Sequence, residues 1–186
     1  MPPDWRNITY LKRGNSRQRK AYAVLRALGV FEILRAYDPV LVGTVPIEVD
    51  IETSDVDIIC NVNDLAAFEH EVTAAFGSCE GFQVERKAVE DVPRVVADFY
   101  YGGFPFQVFG QPRAVEAQNG YRHMVIEARL LEIGGEAARD EIRRLKRAGF
   151  KTEPAFARYF GLEGDPYVAL LELASLGEDE LRRIIR

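Results

Sequence analysis

The chain has 186 residues, 47% of them hydrophobic and 28% charged, a composition that supports a folded core and argues against disorder. No apolar run is long enough to cross a bilayer, and the opening MPPDWRNITYLKRGN lacks the apolar stretch of a signal peptide. The net charge of −5 argues against an extended electrostatic footprint on duplex nucleic acid.

A cytoplasmic protein with no membrane association is therefore expected. Cys60 and Cys79 fit neither a metal spacing nor a disulfide framework, so both are read as reduced thiols. His70 and His123 are too few to build a histidine-rich metal site. Two basic runs, KRGNSRQRK at 12–20 and RRLKR at 143–147, read as solvated helix faces.

In chain order, the first helix is predicted from Ser16 to Leu28, with Ser16 as its N-cap and Gly29 as its C-cap. FEILRAY follows as a short helical piece, stopped by Asp38-Pro39. PVLVGT and DVDIICNV are β-branched runs bounded by polar residues, as buried strands are. The connector between them, VPIEVDIET, alternates Ile47, Val49 and Ile51 with Glu48, Asp50 and Glu52, and reads as a half-buried strand.

Asp64 caps the next predicted helix, LAAFEHEVTAAF, which ends at Gly77. FQVERKAVE, PRVVADFYY and FPFQVFG read as a strand and a hairpin, with Gly102-Gly103 as a two-residue turn that requires positive φ. From Tyr121 the pattern is helical: YRHMVIEARLLEI, then EAARDEIRRLKRAG, then a helix starting near Thr152 as cap, then YVALLELASL opened by Asp165-Pro166. Trp5, Phe31 and the hairpin aromatics are expected in the core.

The chemistry concentrates at Asp55 and Asp57. Side chains alternate along a strand, so two aspartates one residue apart project from the same face. Ionised carboxylates this close repel each other unless a cation or donors neutralise them. Magnesium takes oxygen ligands and leaves positions for phosphate oxygens. The plain alternative makes one aspartate an Asx-turn and the other a surface charge.

Gly43-Thr44, nine connecting residues and then SDVDI together resemble the signature of the polymerase-β-like nucleotidyltransferase superfamily. The hairpin VPRVVADFYYGGFPFQVFG extends the resemblance, which covers about residues 40–110. It implies an α/β (α+β) fold: a nucleotidyltransferase-like mixed sheet flanked by helices over residues 1–120, followed by an all-helical C-terminal tail over 121–186 packed on it.

By the same resemblance, Asp55 and Asp57 bind Mg2+, and Gly43 and Thr44 orient the triphosphate of a nucleoside triphosphate. The family's third carboxylate falls on Gln107, a neutral amide. If Gly102-Gly103 form the turn, Tyr101 pairs with Phe104 and Asp98 with Gln107, so Asp98 is positioned to supply that carboxylate. Asp98 and Gln107 therefore join Asp55 and Asp57 as candidate catalytic residues. Arg122, like Arg17 and Arg19, is a candidate phosphate contact.

The phrases FGQP, YRHM and KTEPAF resemble those of an uncharacterised bacterial family carrying such a domain. His123 and Glu127, one helical turn apart, could form a polar pair facing the cleft with a proton-shuttling role, but the favoured reading is a surface pair. Gln111 and Asn119 are candidate contacts to a base or sugar.

The expected activity is Mg-dependent transfer of a nucleoside monophosphate from a nucleoside triphosphate to a hydroxyl acceptor. That acceptor is open among a small molecule, a protein side chain and an RNA end. Two other readings stand beside it: a nucleotide- or partner-binding module with little or no turnover, and an antitoxin-like protein. The sequence sets no oligomeric state.

Overall fold

The computed structural model describes residues 3–89 and 91–185. Helix α1 spans Ser16–Leu28. Its cap is Asn15, not Ser16: the Asn15 side chain accepts from the Gln18 amide, and Gln18 reciprocates in a capping box. Gly29 closes the helix in the left-handed region, as its sequence position predicts. FEILRAY becomes a single helical turn, α2 (Val30–Ile33), and a 3-10 turn ending at Asp38.

Strands β1 (Val40–Val42) and β2 (Val56–Asn61) follow, then α3 (Leu65–Phe76), which Asp64 caps by accepting from the Ala66 and Ala67 amides. Strands β3 (Glu80–Val89), β4 (Val92–Tyr101) and β5 (Phe104–Gln111) form a meander. Glu90, the last residue of the first predicted strand of this group, lies outside the described residues. Gly102 and Gly103 both have positive φ, and the register pairs Tyr101 with Phe104 and Asp98 with Gln107.

The sheet order is β1-β2-β5-β4-β3, with β2 and β5 parallel and every other pair antiparallel. It is thus a mixed sheet flanked by helices, followed by a helical stretch. Helices α1 to α3 and the Leu41, Ile58 and Val108 face of the sheet share one core. The opposite face, with Val40, Val42 and Ile59, packs against the C-terminal helices.

Those helices are α4 (Asn119–Arg147), α5 (Thr152–Phe160), α6 (Pro166–Leu173) and α7 (Glu178–Ile184). The two helices predicted between Tyr121 and Gly149 are both present, the two arms of α4 on either side of a kink at Gly135, whose φ of 62° and ψ of −155° are not helical. Lys151 occupies the cap position of α5, and Thr152 is already helical. Trp5 is buried as expected, but Tyr100 on the hairpin is 56% exposed.

The connector departs from its expected form. It is a run of turns, not a strand. Val45, Ile47 and Val49 are buried as the alternation suggests, yet Glu48 has positive φ and the segment pairs with no strand among the described residues. Distant side chains hold it. Gln18 Nε2 donates to Val45 O at 2.9 Å and Pro46 O at 3.2 Å, and Arg143 donates to Glu48 O at 2.7 Å. Arg17 pairs with the buried Asp50, and Arg147 pairs with Glu52. Two of the connector's three acidic side chains, Asp50 and Glu52, are thereby paired with arginines.

Candidate active site

Gly43 follows β1 directly and adopts φ of +79°, a conformation that favours glycine. A Cβ there would lie 2.3 Å from Asp57 Oδ2, so the missing side chain lets the backbone reach the carboxylate. Val42 pairs with Asp57 across β1 and β2, which fixes this contact. Thr44 is buried beside it.

Asp55 precedes β2 and Asp57 lies within it. The register places Asp57 opposite Gln107 on β5, and Gln107 opposite Asp98 on β4. Directly paired residues share a face, so these three form one polar rung. Gln107 Nε2 donates to Asp98 Oδ1 at 2.9 Å. Asp98 thus joins the predicted face, but two strand spacings, about 10 Å between backbones, separate it from Asp57. Gln107 occupies the nearer position.

The carboxylates sense each other. Burial and then repulsion from Asp55 raise the Asp57 carboxyl to about 7, with Lys146 opposing and Asp98 adding to the rise. Partial burial and Asp98 raise Asp55, again against Lys146. Among the described residues no group of three or more His, Cys, Asp or Glu is gathered as a metal cluster. The donor set fits a magnesium ion nonetheless, because that ion is usually held by one or two carboxylates, with water and substrate phosphates completing its shell.

Two hollows meet at Asp57. The larger, about 500 Å³, is lined by Gly43, Thr44, Gln107, Gln118, His123 and Glu127 among others. The smaller, about 320 Å³, is lined by Thr44, Ser54, Asp55, Lys146 and Thr152 among others. Thr44, Asp57 and Thr152 border both.

Lys146 is a site residue the sequence reading misses. It lies in the run taken for a solvated face, yet its Nζ donates to Val49 O at 3.0 Å and Ser54 Oγ at 3.3 Å. Burial lowers its ammonium to about 8, while Asp50, Glu127, Asp57 and Glu153 pull in the other direction. Its spacing was the available signal: four residues after buried Ile142 and next to buried Leu145, it belongs to the inward stripe of α4.

His123 and Glu127 are not a surface pair, because α4 turns both toward the larger hollow. His123 Nε2 lies 3.0 Å from Tyr167 O, and Nδ1 lies 3.6 Å from Glu153 Oε1. A carbonyl only accepts, so Nε2 carries the proton. Burial, then repulsion from Glu153, raises the Glu127 carboxyl to about 8, with Lys146 opposing. Arg122 is exposed on α4 and lines neither hollow. Arg17 is committed to the connector, where it also donates to Ser54 O at 3.2 Å, and Arg19 binds Gly14 O. Gln111 and Asn119 do line the larger hollow.

The fold is shared with solved structures of RNA-modifying enzymes. Cid1, described with RNA terminal uridylyl transferase activity, superposes with a TM-score of 0.53 at 10% identity, over 89% of this chain and 53% of its own. Cid1 poly(U) polymerase with Mg 3'-dATP bound gives the same values. The polymerase core of TRAMP, an RNA surveillance complex, superposes with a TM-score of 0.52 at 12% identity, over 90% of this chain and 59% of its own. The chain therefore spans little more than half the length of these proteins, and the likeness is one of fold.

The chain belongs to the family described as domain of unknown function DUF4269, whose profile matches residues 23–173. No curated protein matches it in sequence.

Proposed function

We propose that this protein transfers a nucleoside monophosphate from a nucleoside triphosphate to a hydroxyl acceptor, with magnesium. The observation that carries the reading is the closure of Gly43 onto the Asp57 carboxylate at the junction of two hollows, with Asp55 beside it. The smaller hollow suits the triphosphate. Lys146 supplies a positive charge there, and Thr44, Ser54 and Thr152 supply hydroxyl donors. The larger hollow then takes the nucleoside and the acceptor.

Asp55 and Asp57 would hold magnesium, which supplies charge neutralisation for the phosphates. Gly43 and Thr44 orient the triphosphate. Asp98 accepts from Gln107 and keeps that amide on the rung beside Asp57, where the pair positions the acceptor hydroxyl. Because Arg17 and Arg147 pair with Asp50 and Glu52, the connector repels a triphosphate less than its sequence suggests.

One observation favours a second reading, a nucleotide-binding module without turnover: the position across from Asp57 on β5 is the amide Gln107. Incubation with magnesium and α-labelled nucleoside triphosphates, against pools of RNA, protein and small hydroxylated molecules, separates the two. Label transfer with pyrophosphate release supports the transferase. Binding without release in every pool supports the module.

A further inference from the structure

We infer that the end of the larger hollow walled by α4 and α5 binds a protonated amine carried by the acceptor. The inference rests on the reading of that hollow as part of the substrate cleft. It assigns the amine to the acceptor because nucleobases are neutral near pH 7 and the triphosphate is anionic.

Glu127 is 3% exposed and lines the hollow, and its Oε1 has no hydrogen-bond partner among the described residues. A buried acceptor left without a donor is destabilising. Its neighbours do not repair this. His123 spends Nε2 on Tyr167 O and turns Nδ1 toward Glu153. Lys146 acts on Glu127 only at a distance, since its Nζ donates to Val49 O and Ser54 Oγ and its charge is shared with Asp50, Asp57 and Glu153.

A second unpartnered acceptor lies elsewhere on the wall of the hollow, at the start of α4. Gln118 is 1% exposed on the hollow wall, and Nε2 donates to Cys60 O and Arg113 O, both at 2.9 Å. Its Oε1 is also unpartnered among the described residues. Two arginines also line the hollow: Arg94 lies over the Phe109 ring at 5.5 Å, and Arg113, whose carbonyl accepts from Gln118, follows β5 with its side chain exposed.

The α4–α5 end thus offers the unpartnered Glu127 oxygen and two carboxyl groups, Glu127 and Glu153, and among the described residues no lysine or arginine of α4 or α5 lines it. A hydroxyl brings one donor and no charge. An ammonium brings three donors and the missing charge.

The test is calorimetric titration of the full chain, without metal or nucleotide, with glucamine and with sorbitol. These share a carbon skeleton and differ by an amine in place of a hydroxyl. One charge-assisted hydrogen bond predicts that glucamine binds at least about tenfold more tightly. Glu127→Gln is expected to remove that advantage and leave sorbitol unchanged. Glu153→Gln, which weakens the same end without touching Glu127, is expected to reduce it.

Equal affinities for the two polyols, no binding of either, or a glucamine affinity indifferent to both substitutions overturns the inference. Magnesium-nucleotide titrations on the same protein keep the outcomes apart. A flat nucleotide titration beside tight glucamine binding defeats the transferase reading and leaves the amine site standing. The reverse defeats the amine site alone.

Discussion

Gly43 and Asp57 stand so close that any side chain at position 43 meets the carboxylate, with a Cβ only 2.3 Å from Oδ2. Gly43→Ala carries two penalties, the positive φ and this clash. The left-handed conformation alone costs about 1–2 kcal/mol for an alanine. Chemical denaturation is expected to show that loss, and magnesium-dependent nucleotide binding is expected to fall even in the folded fraction. A variant of unchanged stability and affinity contradicts the contact.

Asp57 gives the metal-free protein a pH dependence. Burial, then Asp55, raises its carboxyl from about 4 in the unfolded chain to about 7 in the folded one. Between these values the folded chain holds more protons, so stability falls as pH rises from about 4 to about 7 and stays lower above. Asp57→Asn removes this penalty and is expected to stabilise the metal-free protein near pH 8 by on the order of 2 kcal/mol. Added magnesium is expected to narrow the difference, since the ion stabilises only the wild-type carboxylate. Thermal melts across pH, with and without the metal, check both.

The rung Asp57, Gln107, Asp98 predicts a gain as well as losses. Gln107→Asp places a carboxylate one strand from Asp57 and is expected to tighten Mn2+ or Mg2+ binding several-fold, by the charge it adds. Asp98→Asn, two strands away, is expected to weaken it less than Asp57→Asn does. Metal titration by paramagnetic resonance or calorimetry orders the three variants, and a different order contradicts the geometry.

Arg17 and Asp50 fasten the connector that leads to Asp55. Arg17→Ala leaves a buried carboxylate without its partner, a change that costs about 3 kcal/mol. The double variant Arg17→Met/Asp50→Leu is expected to recover most of that stability, because apolar replacement removes the orphaned charge. Equilibrium denaturation of the single and double variants measures the difference.

Much of this arrangement was legible because it is local. Gly102-Gly103 dictates a two-residue turn, and the turn dictates the Asp98–Gln107 register. Gly43-Thr44 and Asp55-Asp57 are readable for the same reason: short spacings and a period of two determine which side chains share a face.

What the sequence conceals depends on partners far along the chain. The connector alternates like a strand, yet it is shaped by Gln18, Arg17 and Arg143, which no local pattern ties to it. Lys146, His123 and Glu127 look like ordinary helix-surface charges until the tertiary packing of α4 turns them inward. Arg122 shows the converse: a phosphate ligand by type, it is exposed and lines neither hollow.

Titration of a nucleoside triphosphate with magnesium into the wild-type protein and into Asp55→Asn/Asp57→Asn tests the central claim most directly. Magnesium-dependent binding by the wild type, abolished in the double variant while its melting transition stays cooperative, is the predicted result. A double variant that binds as tightly as the wild type, or a wild type that binds no triphosphate, contradicts it.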